Sequence, residues 1–471
     1  MKKILLTTFA SVLTLALGLS AVSAQERGES GNNTRGGGLQ NGESTRRGGW
    51  NNQEQPQGGV VGRGQEQRRG QGQGRGPGAR GGSGGFAASE VPAPKKMRES
   101  LSEFQRANLE VLRQQMLVGA FMYLEEAQSE SGSFSSSPRV GIGPTLVCAI
   151  GILRAGAPID DPTLAKALKY LESAIREDGG VYSEGGRLAS YESCLALVCF
   201  DLANKAAGDG RYDATVANAE KFVRSTQYNE ANGVSPDDER FGGIGYGAGD
   251  GTRPDLSNTQ FFVEALREVG AGEDDQAIQD ALVFVSRCQN LETEDSPTAS
   301  SGKGSDGGFI YTFVSPDENP AGQEVDGGLR SYGSMTYAGL KSLIYAGLTK
   351  EDPRVEAATN WIRENYTLTQ NPGLGKRGLY YYYHTLSKCL NVMGEKEFVD
   401  KDGVAHDWRS ELIETLALAQ NEDGSWVNDD RMWYETDANL VTGYVMTVLT
   451  YCAEEEREGE NPVDAKEEST K

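Results

Sequence analysis

The chain has 471 residues, a formal net charge of −22, 24% charged and 37% hydrophobic residues and 61 glycines. That is enough apolar material for a large core and excludes a chain disordered throughout. Through residue 85 there are 11 Lys/Arg against 5 Glu, a surplus of +6 that leaves −28 for the remainder. A field of that sign opposes nucleic acid and anionic membranes as partners of the folded part.

The first element is Met1-Lys2-Lys3, an apolar run from Ile4 to Ser20, and Ala21-Val22-Ser23-Ala24. This is the order of a secretory signal peptide, so residues 1–24 predict an exported, periplasmic or extracellular protein with no transmembrane anchor once the signal is removed. Residues 25–94 are rich in Gly, Arg, Gln and Asn, as in Arg75-Gly76-Pro77-Gly78-Ala79-Arg80. Such a stretch cannot bury enough apolar area to order itself, and reads as a disordered linker that can touch anionic envelope polymers. Residues 456–471 read as an acidic disordered tail. The six cysteines, Cys148, Cys194, Cys199, Cys288, Cys389 and Cys452, fall within helical apolar patterns, which favours buried free thiols over disulfides. Two histidines, His384 and His406, and no CxxC or HExxH leave little for a zinc site, so no metal or cofactor is expected.

Residues 95–455 repeat one pattern six times: an amphipathic helix, a Gly-rich polar turn, and a greasier second helix. The second helices are predicted at Pro144 to Leu153, Ser190 to Ala203, Asp255 to Val269, Tyr332 to Ala346, Tyr380 to Val392 and Asp437 to Tyr451. First helices look one-sided, as in Leu164, Leu168, Leu171 and Ile175, whereas Cys194 to Phe200 is apolar all round. Asp161-Pro162 and Asp352-Pro353 place a capping acid before proline at a helix start. Six helices packed on every side within six amphipathic ones predict an all-α (α/α)6 toroid, with a right-handed solenoid of the same hairpins as the alternative. The turn aromatics align as Phe134, Tyr182, Phe309 and Trp426.

The turn Gln420-Asn421-Glu422-Asp423-Gly424-Ser425-Trp426 reads Q-x3-G-x-W and resembles the repeat of squalene-hopene and related terpenoid cyclases. Ser331-Tyr332-Gly333-Ser334-Met335-Thr336-Tyr337-Ala338-Gly339-Leu340 and Tyr383-His384-Thr385-Leu386-Ser387 resemble the β-subunits of protein prenyltransferases, of the same toroid superfamily. The resemblance implies a central cavity for an apolar, isoprenoid-like ligand. It also implies a D-x-D-D-T acid motif, which here reads Asp255-Leu256-Ser257-Asn258-Thr259 with one acid kept, Glu435 or Asp437 being the possible replacements. Of the prenyltransferase zinc ligands only His384 is matched; Tyr332 and Ser334 stand in the other places.

Residues at the rim and first turns of the inner helices are the candidates for ligand contact: Tyr191, Glu192, Tyr332, Tyr337 and Glu435 for binding, and Asp255, Asn258, Tyr382, His384 and Asp437 for catalysis. Exported polysaccharide lyases look similar in architecture, and Asn258, His384 and Tyr382 are the residue types they use, so a glycan in the cavity is the second reading. A non-catalytic envelope scaffold is the third. At the last turn, Gln420 is expected to end an outer helix and bond backbone at the start of the neighbouring inner helix, with Trp426 covering that bond. Truncating a packed Trp costs about 3 to 5 kcal/mol and losing a buried bond about 1 to 3. Trp426→Ala should therefore lower the melting temperature, read by circular dichroism, much more than Gln420→Ala.

Overall fold

The computed structural model describes residues 95–453 apart from 138–139, 249–251, 293–304 and 326. The signal peptide (1–24), the Gly/Arg-rich segment (25–94), residues 293–304 of the insert in the fourth repeat and the acidic tail (456–471) lie outside the described residues. Among the described residues, after a short helix α1 (Glu103–Ala107), twelve helices alternate between two layers. The outer ones are α2 (Leu109–Ala127), α4 (Pro162–Glu172), α6 (Asp213–Ser225), α8 (Gln276–Arg287), α10 (Pro353–Asn365) and α12 (Trp408–Ala419). The inner ones are α3 (Gly143–Arg154), α5 (Ala189–Ala207), α7 (Leu256–Glu268), α9 (Gly333–Tyr345), α11 (Leu379–Met393) and α13 (Ala438–Tyr451). A small antiparallel hairpin, β1 (Phe398–Val399) with β2 (Ala405–His406), joins α11 to α12.

Inner helices pack in sequence order, α3 on α5, then α7, α9, α11 and α13, and α13 returns to α3. That last contact closes the ring and decides for the toroid over the open solenoid. It is a close one, because a Cβ on Gly443 would lie 3.0 Å from the Cα of Cys148 and one on Gly151 2.9 Å from the Gly443 carbonyl. The composition explains the layers. Cys194 to Phe200 of α5 is buried on all sides, while α4 buries Leu164, Ala167, Leu168 and Leu171 and exposes Ala165, Lys166 and Lys169. Asp161 and Asp352 cap their helices as expected, accepting from the backbone N–H groups of Thr163 and Leu164, and of Arg354. The apolar period overruns α4, however. Ile175 lies past its end, 39% exposed, bridged to Val181. All six cysteines are unpaired and buried.

The outer-to-inner turns share one device. Gly132, Gly179, Gly242, Gly307, Gly373 and Gly424 all have φ between +80° and +95°. In five of the six turns this glycine abuts the next outer helix: a Cβ on Gly242 would fall 1.9 Å from the Asp280 carbonyl of α8, and one on Gly424 2.3 Å from the Gly119 carbonyl of α2. In four of the turns a glutamine at the outer helix end, Gln128, Gln227, Gln289 or Gln420, donates its amide twice. Gln227 Nε2 reaches Gly242 O at 3.0 Å and Ala277 O at 2.8 Å, and Gln289 Nε2 reaches Gly307 O at 2.9 Å and Arg354 O at 2.8 Å.

Gln420 obeys this rule, which corrects the partner expected from its sequence. It ends α12, but its Nε2 donates to Gly424 O at 3.0 Å and to Met116 O of outer helix α2 at 3.4 Å, not to an inner helix. The inner helix is held by the residue two past the glycine. Trp426 N–H donates to Thr442 Oγ1 at 3.2 Å, Phe309 N–H to Thr336 at 3.1 Å and Phe134 N–H to Thr145 at 2.9 Å. In the second turn that residue is Val181, bonded to Ser193 at 3.0 Å, so the counterpart of Trp426 is Val181 and not Tyr182. Trp426 is fully buried and its indole N–H donates to Leu416 O at 2.8 Å.

The glycine rule is testable by contrast. Gly208 also has positive φ, +67°, but open space around its would-be Cβ. Gly208→Ala should cost about 1 kcal/mol in urea unfolding. Gly242→Ala, meeting backbone that cannot move aside, should cost several-fold more or prevent soluble expression.

Candidate functional site

The axis of the ring is occupied by side chains in two layers. The upper layer is aromatic, drawn from the first turns of the inner helices and the loops before them. Tyr191 of α5 packs edge-on to Phe261 of α7 with centroids 5.4 Å apart, and Phe261 meets Tyr381 of α11 at 6.1 Å. His384 of α11 lies 5.0 Å from Tyr444 of α13 and 6.4 Å from Tyr381, stacked. Tyr246 closes on Tyr191 at 5.9 Å. Helices that are not neighbours in the ring are thus joined across it, and Ser257 Oγ with Tyr381 Oη at 3.0 Å makes such a crossing bond between α7 and α11. Tyr246 is 38% exposed and Tyr191, Tyr311 and Tyr381 are half-buried, so this layer is a shallow, hydroxyl-bearing mouth.

Below it lies a buried ionic layer. Glu264 of α7 is bonded through one oxygen to Lys341 of α9 and through the other to Lys388 of α11, and Lys341 also donates to Gln260 Oε1 at 2.8 Å. Although burial opposes it, the two ammonium groups hold the Glu264 carboxyl well below the usual range. Burial brings Lys388 down to about 8 and keeps His384 neutral, far below the usual imidazole value. Farther along, Arg154 of α3 pairs with Glu268 of α7 at 2.7 Å. Between the layers remains a cavity of about 20 Å³, room for about one water. Drug-sized ligands occupy roughly 300 Å³ or more. Among the described residues the axis around this space is filled by packed aromatics and ions, where an open central cavity for an apolar ligand or a glycan was expected.

Asp255 caps α7, accepting from Asn258 N–H at 2.8 Å and Asn258 Nδ2 at 2.7 Å, and Tyr311 also bonds it. Tyr246, bonded to Tyr311 and Asn258, links this group to solvent. Burial raises the Asp255 carboxyl to about 7. Asn258 Oδ1 is buried with no hydrogen-bond partner. Tyr332 is buried within electrostatic reach of Asp255, Tyr246 and Tyr381. Of the predicted residues, Tyr191, Asp255, Asn258, Tyr332 and His384 thus gather at or under the mouth.

The others do not join them. Tyr382 donates to Thr367 O at 2.8 Å and packs on Tyr337 at 5.6 Å, on a different face of α11 from Tyr381 and His384, so Asn258, His384 and Tyr382 form no common site. Glu192 pins two turns, accepting from Ile142 N–H at 2.8 Å and Ser183 N–H at 2.7 Å. Glu435 accepts from Tyr381 N–H at 2.8 Å and Asn428 Nδ2 at 2.6 Å, capping α11, whose own N-cap is Gly378. Burial raises its carboxyl to about 7 as well. Asp437 caps α13 and accepts from Ser136 Oγ at 2.6 Å, on a surface groove of about 360 Å³ with Tyr123 and Tyr434. Tyr434 is 59% exposed, and it and Trp433 hold φ of 62° and 53°. Sequence reasoning missed Glu264, Lys341, Lys388, Tyr246 and Tyr381. For Glu264 the available signal was a charge inside an apolar run, Phe261-Phe262-Val263-Glu264-Ala265-Leu266.

No protein-family model and no curated protein matches the chain. Among solved structures it is similar to the type II terpene cyclase MstE from Scytonema in complex with geranylgeranyl dihydroxybenzoate, at 14% identity and TM-score 0.45 over 74% of this chain and 98% of that one. It is similar to an alpha-amylase from Clostridium perfringens, at 12% identity and TM-score 0.46 over 72% of this chain and 98% of that one. A family 76 glycoside hydrolase from a bovine Bacteroides thetaiotaomicron strain shows 11% identity and TM-score 0.44 over 71% of this chain and 77% of that one. The protein is an α/α toroid on its own helix contacts.

The two raised carboxyls set a pH dependence. Asp255 and Glu435 hold protons in the folded chain up to about 7, against usual values of 3.8 and 4.5. Their contribution to stability is thus full below about pH 4 and is lost as pH rises through about 7. Melting temperatures from pH 4 to 8 should show this component, and Asp255→Asn with Glu435→Gln should flatten it. Equal slopes in both proteins would refute the assignment.

Proposed function

We propose that this is an exported toroid that binds a glycan on its tyrosine mouth and carries out no chemistry at the centre of the ring. The observation that carries the reading is the filled axis beneath a half-buried layer of tyrosines, of which Tyr246 is 38% exposed. Tyr191, Tyr246, Tyr311 and Tyr381 offer ring faces for sugar C–H surfaces and hydroxyls for sugar oxygens. The acidic balance of the folded part repels uronate polymers, which points to a neutral or amine-bearing glycan. Export rests on the signal-peptide pattern of residues 1–24. Among the described residues no helix is long and apolar enough to cross a membrane.

Binding should be measured on immobilised neutral and acidic envelope polysaccharides, with the apolar fraction that accompanies the purified protein analysed by mass spectrometry. Neutral or amino-sugar polymers should be retained, and Tyr246→Ala should weaken retention about tenfold, the equivalent of about 1.4 kcal/mol. An isoprenoid recovered near one per chain would overturn the reading in favour of an apolar ligand. Release of an unsaturated uronide absorbing in the ultraviolet would overturn it in favour of a lyase.

A further inference from the structure

The cavity of about 20 Å³ between the aromatic and ionic layers is faced by His384, Lys388, Glu264 and Thr447 among apolar walls. Two features of it have no use in the fold or in the mouth. His384 is 5% exposed, yet neither of its ring nitrogens has a hydrogen-bond partner. A neutral imidazole keeps one N–H donor and one acceptor, and leaving both unmet in a dry interior is costly. The second feature is a charge imbalance. Lys341 and Lys388 share the single carboxylate Glu264, while farther along Arg154 and Lys205 both meet Glu268 and Lys205 also pairs with Asp201. The ionic layer holds one positive charge too many for its acids, in a place where an uncompensated charge is expensive.

We propose that this cavity is a binding site for one small monovalent anion of the size of chloride, held by the Lys388 ammonium and the His384 ring N–H. Both Glu264 oxygens are turned to the lysines, so the carboxylate is neutralised on the side from which it would repel the ion. Space for about one water admits a halide and excludes sulfate or phosphate. The anion meets an N–H of His384 and removes the surplus charge in one step. The competing way to shed that charge is loss of the Lys388 proton, which burial already favours by bringing this amine down to about 8. That route needs no halide, which separates the two experimentally.

The test is a set of thermal melts of the full chain at pH 7 in sodium chloride, sodium bromide and sodium gluconate at one ionic strength. Chloride and bromide should each raise the melting temperature by roughly 2–6 °C with a saturating dose response, as expected of a site filled far above its dissociation constant. Lys388→Met keeps the Glu264–Lys341 pair and removes the surplus charge, and its melting temperature should not depend on the anion. His384→Leu should behave likewise. Because either variant can fail to fold, crystals of the unaltered protein grown in bromide supply a second readout, an anomalous peak within hydrogen-bond reach of Lys388. Identical melts in chloride and gluconate, a halide effect that survives Lys388→Met, or a cavity without anomalous signal would each overturn the proposal.

Discussion

Five of the six repeats of this protein are locked to the next at a point where a side chain would meet backbone. The turn glycine of one hairpin lies against a carbonyl of the following outer helix, so close at Gly242 and Gly424 that even a methyl group would collide with backbone. Backbone against backbone leaves little latitude in distance. In four repeats the glutamine beside it, bonded at once to its own turn and to the neighbouring helix, leaves little in angle. Repeated around the molecule, these limits give each hairpin a similar step, and six such steps bring the last inner helix back to the first. Closure is therefore largely a sum of local constraints, to which the segment ahead of α1 adds two bonds to the last turn, Met97 N–H donating to Gln420 O and Glu422 N–H to Lys95 O, both at 2.8 Å.

What the ring surrounds follows from what its helices must bury. An inner helix touches neighbours on both flanks and an outer helix behind, so one face remains for the axis, where six such faces converge. Here that face carries tyrosines and His384 near the helix starts and Glu264, Lys341 and Lys388 deeper in. Packed ions of this kind are poor sources of stability, since desolvation offsets most of their attraction. With the aromatics above them they leave room for about one water. At the mouth above are the hydroxyls of Tyr191, Tyr246 and Tyr381.

The architecture was legible in the sequence to a degree that the site was not. Apolar periodicity, Asp-Pro caps and the Gly-rich turns mark every inner helix to within a few residues of its observed span. These are local signals, decided within one turn or one helix. The site depends on how each helix is rotated about its own axis. Among Tyr380-Tyr381-Tyr382-Tyr383 the sequence offers four equal candidates, and only the packing of α11 sends Tyr381 to the mouth and Tyr382 toward Thr367. Leu340-Lys341-Ser342-Leu343 looks like any helix with a solvated lysine, because the acid that buries it lies 77 residues away in the chain. Gln420 illustrates the same limit: its position at a helix end is written in the motif, and its partner on α2, 304 residues earlier, is not.

The seam between α13 and α3 carries a temporal consequence. Its two sides are joined by contacts such as Cys148 Sγ donating to Asn439 O at 3.2 Å, across 291 residues of chain. Contacts of such sequence separation form late, since a long loop must close before they repay its entropy. During synthesis the first hairpin is complete long before its partner exists, and the side of α3 that will meet Gly443 must wait, uncovered, for nearly the whole domain to be made. The small residues at this junction, Gly151 and Gly443, suit that order of events. The final helix can slide against a smooth surface and needs no interlocking side chains to be threaded past one another. A closed ring assembled from a linear chain thus leaves the contacts of its seam to the end.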